Sequence, residues 1–98
     1  MLRHIVMWKF RPGTAAEREL FLTGLQGLYG EIPELKRCEV LRGMDGSDYD
    51  AVLISEFEDQ AALERYKNDP RHKAVSALCK SIRTDRAAVD CLLPDAEN

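Results

Sequence analysis

Ninety-eight residues, 45% apolar and 32% charged, are enough for one small globular domain and exclude two. A net charge of −3, with Lys and Arg scattered rather than in runs, argues against a nucleic-acid partner. The early apolar run Ile5–Trp8 is too short for a signal core or a membrane span, which predicts a cytoplasmic protein with no membrane partner.

Taken in order, Arg3–Phe10 (RHIVMWKF) reads as a strand of β-branched and aromatic residues. His4, Val6, Trp8 and Phe10 share one face; Ile5, Met7 and Lys9 share the other. Arg11-Pro12-Gly13 breaks the strand. Thr14 and Glu17 have capping-box spacing, so a helix is predicted from about Ala15. Its apolar stripe is Phe21, Leu25, Leu28 and Ile32, closed by Pro33. Gly24 and Gly27 each cost such a helix about 1 kcal/mol relative to Ala. They signal either loose packing or a close approach of helix to sheet, and the spacing does not choose between them.

Leu35–Arg42 is the second predicted strand, with Cys38 and Val40 opposite Arg37, Glu39 and Leu41; its charge suits a sheet edge. The polar loop Gly43–Asp48 connects it to a third strand, Tyr49–Phe57. There Tyr49, Ala51, Leu53 and Ser55 lie opposite Val52 and Ile54. Asp59 caps a helix running to Asn68, with Ala62, Leu63 and Tyr66 inward. Asp69-Pro70 restarts the chain as N-cap and first helical residue, and His72, Val75, Cys79 and Ile82 share a face of the new helix. Arg86–Leu93 is the last strand, so the domain spans 1–93 and a polar tail, expected to fray, covers 94–98. Cys38, Cys79 and Cys91 are odd in number and lack zinc spacing, so they are expected to pack as reduced thiols. The run Asp45–Asp50 lacks the EF-hand pattern, and no metal is expected.

The order β-α-β-β-α-β is that of an α+β, ferredoxin-like domain: a four-stranded antiparallel sheet with helices on one face. The first and third strands are nevertheless apolar on both faces, whereas an antiparallel sheet with one wet face should alternate cleanly. The chain has no element left to cover the second face, so a second copy is the economical partner. Ile5, Met7, Val52 and Ile54 are the predicted interface of a homodimeric α+β barrel.

The stretches HIVMWKF, YDAVLISEF, YKNDPRHKAV and VDC together resemble the stress-responsive A/B barrel domain family, from His4 to about Cys91. The resemblance implies a homodimer with a pocket between the helices and sheet of each subunit. A plant polyketide cyclase of that family closes a linear thioester to an aromatic acid without a cofactor, using a tyrosine and a histidine. Those two match Tyr66 and His72, and a further pocket histidine matches His4. The implied lining is Val6, Trp8, Phe21, Leu22, Leu25 and Leu53, with Ala51 where the cyclase has another histidine. Asp69 likewise replaces a histidine, and Trp8 a smaller aliphatic residue, which implies a different substrate.

Chemistry of that kind needs a base near neutral pH, which histidine supplies, and a donor to the developing oxyanion, which a tyrosine hydroxyl supplies in a dry site. A helix N-terminus should favour the neutral form of His72. The competing structural reading bonds Tyr66 to a backbone carbonyl and His72 to Asp69 or a strand carbonyl. The function expected is therefore a dimeric barrel that binds a small apolar or aromatic molecule. It would perform cofactor-independent cyclase/lyase or isomerase chemistry on a carbonyl or polyketide-like substrate. The alternatives are a non-catalytic stress-response or assembly protein whose pocket Trp8 fills, and a cofactor-free monooxygenase.

Overall fold

The computed structural model describes residues 1–94. The elements are β1 (Leu2–Phe10), α1 (Ala15–Gln26), β2 (Arg37–Arg42), β3 (Ala51–Phe57), α2 (Gln60–Asn68), α3 (Pro70–Ile82) and β4 (Arg83–Leu92). The sheet order is β2-β3-β1-β4 with every neighbouring pair antiparallel, so the two most apolar strands lie at the centre and the charged β2 at an edge. This is the ferredoxin-like arrangement expected from the order of elements.

Period-two burial defines the inner face. Leu2, His4, Val6, Trp8 and Phe10 of β1 are buried, as are Ala51, Leu53, Ser55 and Phe57 of β3. Against them pack Phe21, Leu22 and Leu25 of α1, Ala62, Leu63 and Tyr66 of α2, and Cys79 and Ile82 of α3. Phe21 meets Trp8 edge-on at 5.0 Å between ring centroids, a favourable quadrupole geometry.

The caps fix where the second layer turns. The Asp59 carboxylate accepts from the Ala62 N–H at 2.8 Å, opening α2. The Asp69 carboxylate accepts from the Arg71 N–H at 2.8 Å, opening α3 with Pro70 behind it. Asp69 also donates its own N–H to the Tyr66 carbonyl at 3.1 Å, so one residue closes α2 and starts α3.

Several expectations are corrected. Thr14 stands at the N-terminus of α1, but its hydroxyl donates to the Arg11 carbonyl at 2.6 Å and makes no capping bond. Helix α1 ends at Gln26, well short of Pro33. Leu28 and Ile32 are buried as expected, but from the turns that follow, where Gly30 takes a positive φ of 90° that ordinary side chains avoid. Gly24 faces Val75 of α3, so any close approach there is helix to helix; a Cβ would meet Val75 at 3.5 Å, ordinary contact. Strand β2 begins at Arg37, β3 at Ala51 and β4 at Arg83 directly after α3, which moves three predicted boundaries by two or three residues. Of the cysteines, Cys79 is buried and Cys38 half-buried, but Cys91 is exposed on the edge strand β4, where it packs against little. The tail beyond Pro94 lies outside the described residues.

On the outer face, Ile5, Met7, Val52 and Ile54 are half-buried within the single chain. Leu41 and Val89 flank them and are about half exposed, at 50% and 52%. One end of this face carries an ion ladder: Arg3 and Arg37 each reach Glu56 at 2.8 Å, and Arg37 also pairs with Glu39. Among the described residues, no helix is long and apolar enough to cross a membrane.

Candidate functional site

Tyr66 comes from the last turn of α2 and His72 from the first turn of α3, with the Asp69-Pro70 break between them. The turn brings their rings together at 4.5 Å between centroids, tilted by 49°. Phe57 supports the Tyr66 ring from the sheet at 4.9 Å.

The two histidines are oriented alike. Nδ1 of His72 lies 3.2 Å from the Lys67 carbonyl, and a carbonyl only accepts, so Nδ1 carries the proton and Nε2 keeps its lone pair. Nδ1 of His4 lies 2.5 Å from Oδ1 of Asp90, which leaves its Nε2 free in the same way. Burial lowers the pKa of His72, opposed by the bond to Lys67. Burial likewise lowers that of His4, opposed by the bond and charge of Asp90 and reinforced by Lys67 and Arg86. Both rings are therefore neutral at pH 7. Desolvation by burial is the chief cause in both.

Tyr66 is 1% exposed, and its hydroxyl has no hydrogen-bond partner among the described residues. Burial raises its pKa well above the usual phenol value, so it stays protonated and can only serve as a neutral donor or acceptor. Among the described residues Tyr66 bonds no backbone carbonyl; His72 does bond one, that of Lys67 on the preceding helix in place of Asp69 or a strand carbonyl.

A cavity of about 60 Å³ lies between helices and sheet. His4, Val6, Trp8, Phe21, Leu25, Leu53, Tyr66 and His72 stand in its wall together. Leu22 and Ala51 do not: both are buried, but Leu22 is one helical step round from Phe21, and Ala51 pairs with Trp8 at the far end of β3. Sequence reasoning missed Ser76, Cys79, Arg83 and Arg86 as wall residues, and Asp90 as the partner of His4. Ser76 follows His72 by four residues and was accessible from helical spacing. Asp90, Arg83 and Arg86 depend on the pairing of β1 with β4, where His4 faces Asp90 and Trp8 faces Arg86. Among the described residues, no three His, Cys, Asp or Glu side chains converge as a metal site.

A ferredoxin-like sheet that holds a histidine, a tyrosine and an apolar lining beneath its helices defines a small α+β domain with an internal polar site. The sequence model of the stress responsive A/B barrel domain matches residues 2–92, and the chain belongs to that family. It is 30% identical over 89 residues to the uncharacterized protein SCO4036 of Streptomyces coelicolor, covering 86% of this chain and 92% of that one. Among solved structures it is similar to a dimeric ferredoxin-like protein of unknown function from Thermobifida fusca, with a TM-score of 0.83, 26% identity and coverage of 94% and 90%. An antibiotic biosynthesis monooxygenase shares the fold with a TM-score of 0.84 over 97% of this chain and 100% of that one; at 17% identity the likeness is one of fold alone.

Proposed function

We propose that the chain forms a homodimer through its outer sheet face and that each cavity carries out cofactor-independent acid–base chemistry on a carbonyl substrate. The observation that carries the reading is the buried Tyr66 hydroxyl without a partner, beside a histidine whose Nε2 is free. A buried donor left unsatisfied costs about 1–3 kcal/mol, a cost that a substrate oxygen would relieve. In this reading, Nε2 of His72 removes a proton from the carbon next to the carbonyl, and the Tyr66 hydroxyl donates to the oxygen as it gains charge. Return of the proton at another atom gives an isomerase; attack of the enolate on a second carbonyl gives a cyclase. His4, held by Asp90 from behind, stands in the same wall as a second imidazole of fixed tautomer.

The volume limits the substrate. A cavity that accepts benzene measures about 150 Å³, so 60 Å³ admits a carbonyl head and not a ring. An open cleft of about 490 Å³ shares His4, His72, Ser76 and Arg86 with the cavity and offers room for the rest of the molecule. The same small volume favours the second reading, in which Trp8 and its neighbours fill the interior of a non-catalytic assembly protein.

Deuterium exchange at the α-carbon of a small β-keto thioester, followed by NMR, separates the two. On the catalytic reading the native protein accelerates exchange, and His72→Ala and Tyr66→Phe each lose about a hundredfold or more of the acceleration. No acceleration by the native protein supports the assembly role. Full acceleration by both variants overturns the residue assignment.

A further inference from the structure

The open cleft at the cavity mouth has a charge opposite to that of the chain as a whole. Net charge is −3, yet Lys67, Lys73, Lys80 and Arg86 line this cleft together with His4 and His72. Outside the cleft Arg3, Arg37, Arg42, Arg65 and Arg71 have carboxylate partners, while Lys9 and Arg18 lie over the Tyr49 and Phe10 rings and Arg11 bonds the Ser81 carbonyl. Among the described residues Lys73, Lys80 and Arg86 have none, and Lys67 only approaches Glu64 at 3.8 Å. The carboxylates whose charges reach the two histidines are already engaged, Asp90 by His4 and Asp69 by Arg71. Arg83 stands deeper, in the cavity wall itself. The four cations outnumber the carboxylates near them, Glu64 beside Lys67 and Asp90 beside His4, and an excess of positive charge around a concave mouth focuses a potential there that draws anions.

We propose that this cleft holds an anionic group of the ligand, so that the substrate is an organic acid or phosphate ester whose carbonyl end enters the Tyr66/His72 cavity. The inference rests on the cavity reading above and adds the charge of the ligand to it. Spacing supports it: Lys73 and Lys80 are seven residues apart on α3, two turns along one face, and Ser76 lies between them with a hydroxyl to offer. Lysines act on such a group as mobile point charges, and Arg86 can hold it through two parallel N–H bonds. The positive field also serves the chemistry. It adds to burial in disfavouring the charged forms of His4 and His72, and would stabilise an enolate carried by an anionic substrate near its own charge.

Binding of two matched ketones to the full chain tests the idea. 4-Acetylbenzoate and 4-acetylbenzamide differ chiefly in charge, and inorganic pyrophosphate serves as a phosphate probe. Titration calorimetry at low salt is expected to show the acid at least tenfold tighter than the amide, with the ratio shrinking toward one at 0.5 M salt as screening shortens the range of the field to a few ångströms. Lys73→Gln combined with Lys80→Gln is expected to remove most of the ratio while leaving amide binding in place; both positions are exposed, and melting curves verify that the variant folds. Pyrophosphate that binds and displaces the acid assigns the cleft to phosphate esters; acid binding without pyrophosphate binding assigns it to carboxylates. Equal affinity for acid and amide, or a ratio indifferent to the lysine variant, overturns the anion assignment and leaves the cavity reading standing. Failure of both ketones and of pyrophosphate to bind overturns the two together.

Discussion

Replacing Tyr66 by Phe separates a residue kept for structure from one kept for chemistry. The ring is 1% exposed and rests between Phe57 and His72, contacts that Phe retains. Only the hydroxyl is lost, and it has no partner among the described residues. An unsatisfied buried hydroxyl costs about 1–3 kcal/mol, and the small void left by its removal returns part of that gain. Tyr66→Phe is therefore expected to be about 1 kcal/mol more stable than the native chain, a rise of about 4–8 °C in Tm for a domain of this size. Removal of an oxyanion donor typically costs a hundredfold or more in rate, so the same variant should exchange the α-protons of a substrate far more slowly. Urea unfolding at one fixed protein concentration measures the first effect, since association would otherwise shift the midpoint. A variant destabilised by 1 kcal/mol or more would refute the reasoning, because the hydroxyl would then be making a bond the native fold needs.

Three further outcomes are expected. Gly24→Ala should stabilise the chain by about 1 kcal/mol through helix propensity, because the added methyl meets Val75 at ordinary contact distance; thermal melting shows it, and a fall in Tm would mean that α1 and α3 cannot accept the methyl. Val52→Asp, at the middle of the outer face, should convert a dimer to monomers by size-exclusion with light scattering, and a dimer unaffected at micromolar concentration would move the interface elsewhere. Stability should fall as pH drops from 7 through 6.5 toward 5. His4 and His72 have folded pKa values below the unfolded value, so the unfolded chain binds more protons in that window. The carboxylates held low by arginines, Glu56 and Asp69, begin to matter only below about pH 4.5. Urea midpoints at pH 7.5 and 5.5 that coincide would contradict the histidine assignment.

Local signals in the chain carried most of the architecture. The alternation in RHIVMWKF and AVLISEF marks two central strands and the face of each residue, and Asp59 and Asp69-Pro70 mark the two helix starts. The end of α1 was misread because Leu28 and Ile32 keep helical spacing while sitting in turns; Gly27 at the cap and Gly30 at positive φ were the competing signal. Tyr66 and His72 could be paired because seven residues hold them both and their spacing matches a family pattern. Asp90 could not be joined to His4 in the same way. Eighty-six residues separate them, and only the register of β4 on β1 makes them neighbours. The basic cleft was hidden for a related reason: Lys67, Lys73, Lys80 and Arg86 form no run, and α2, α3 and β4 must assemble before they share a surface.

The hinge residue Asp69 sets a division of labour. The proposed donor and base belong to one short segment, positioned by a single carboxylate and a proline, whereas much of the vessel around them is assembled from distant strands and from α1. Proposed reagents and vessel thus come from different stretches of the chain. A smaller side chain in place of Trp8 would enlarge the vessel without disturbing the seven residues that hold the reagents. On the proposed reading, a change at Trp8 alone exchanges one guest for another while the same acid and base stay in place.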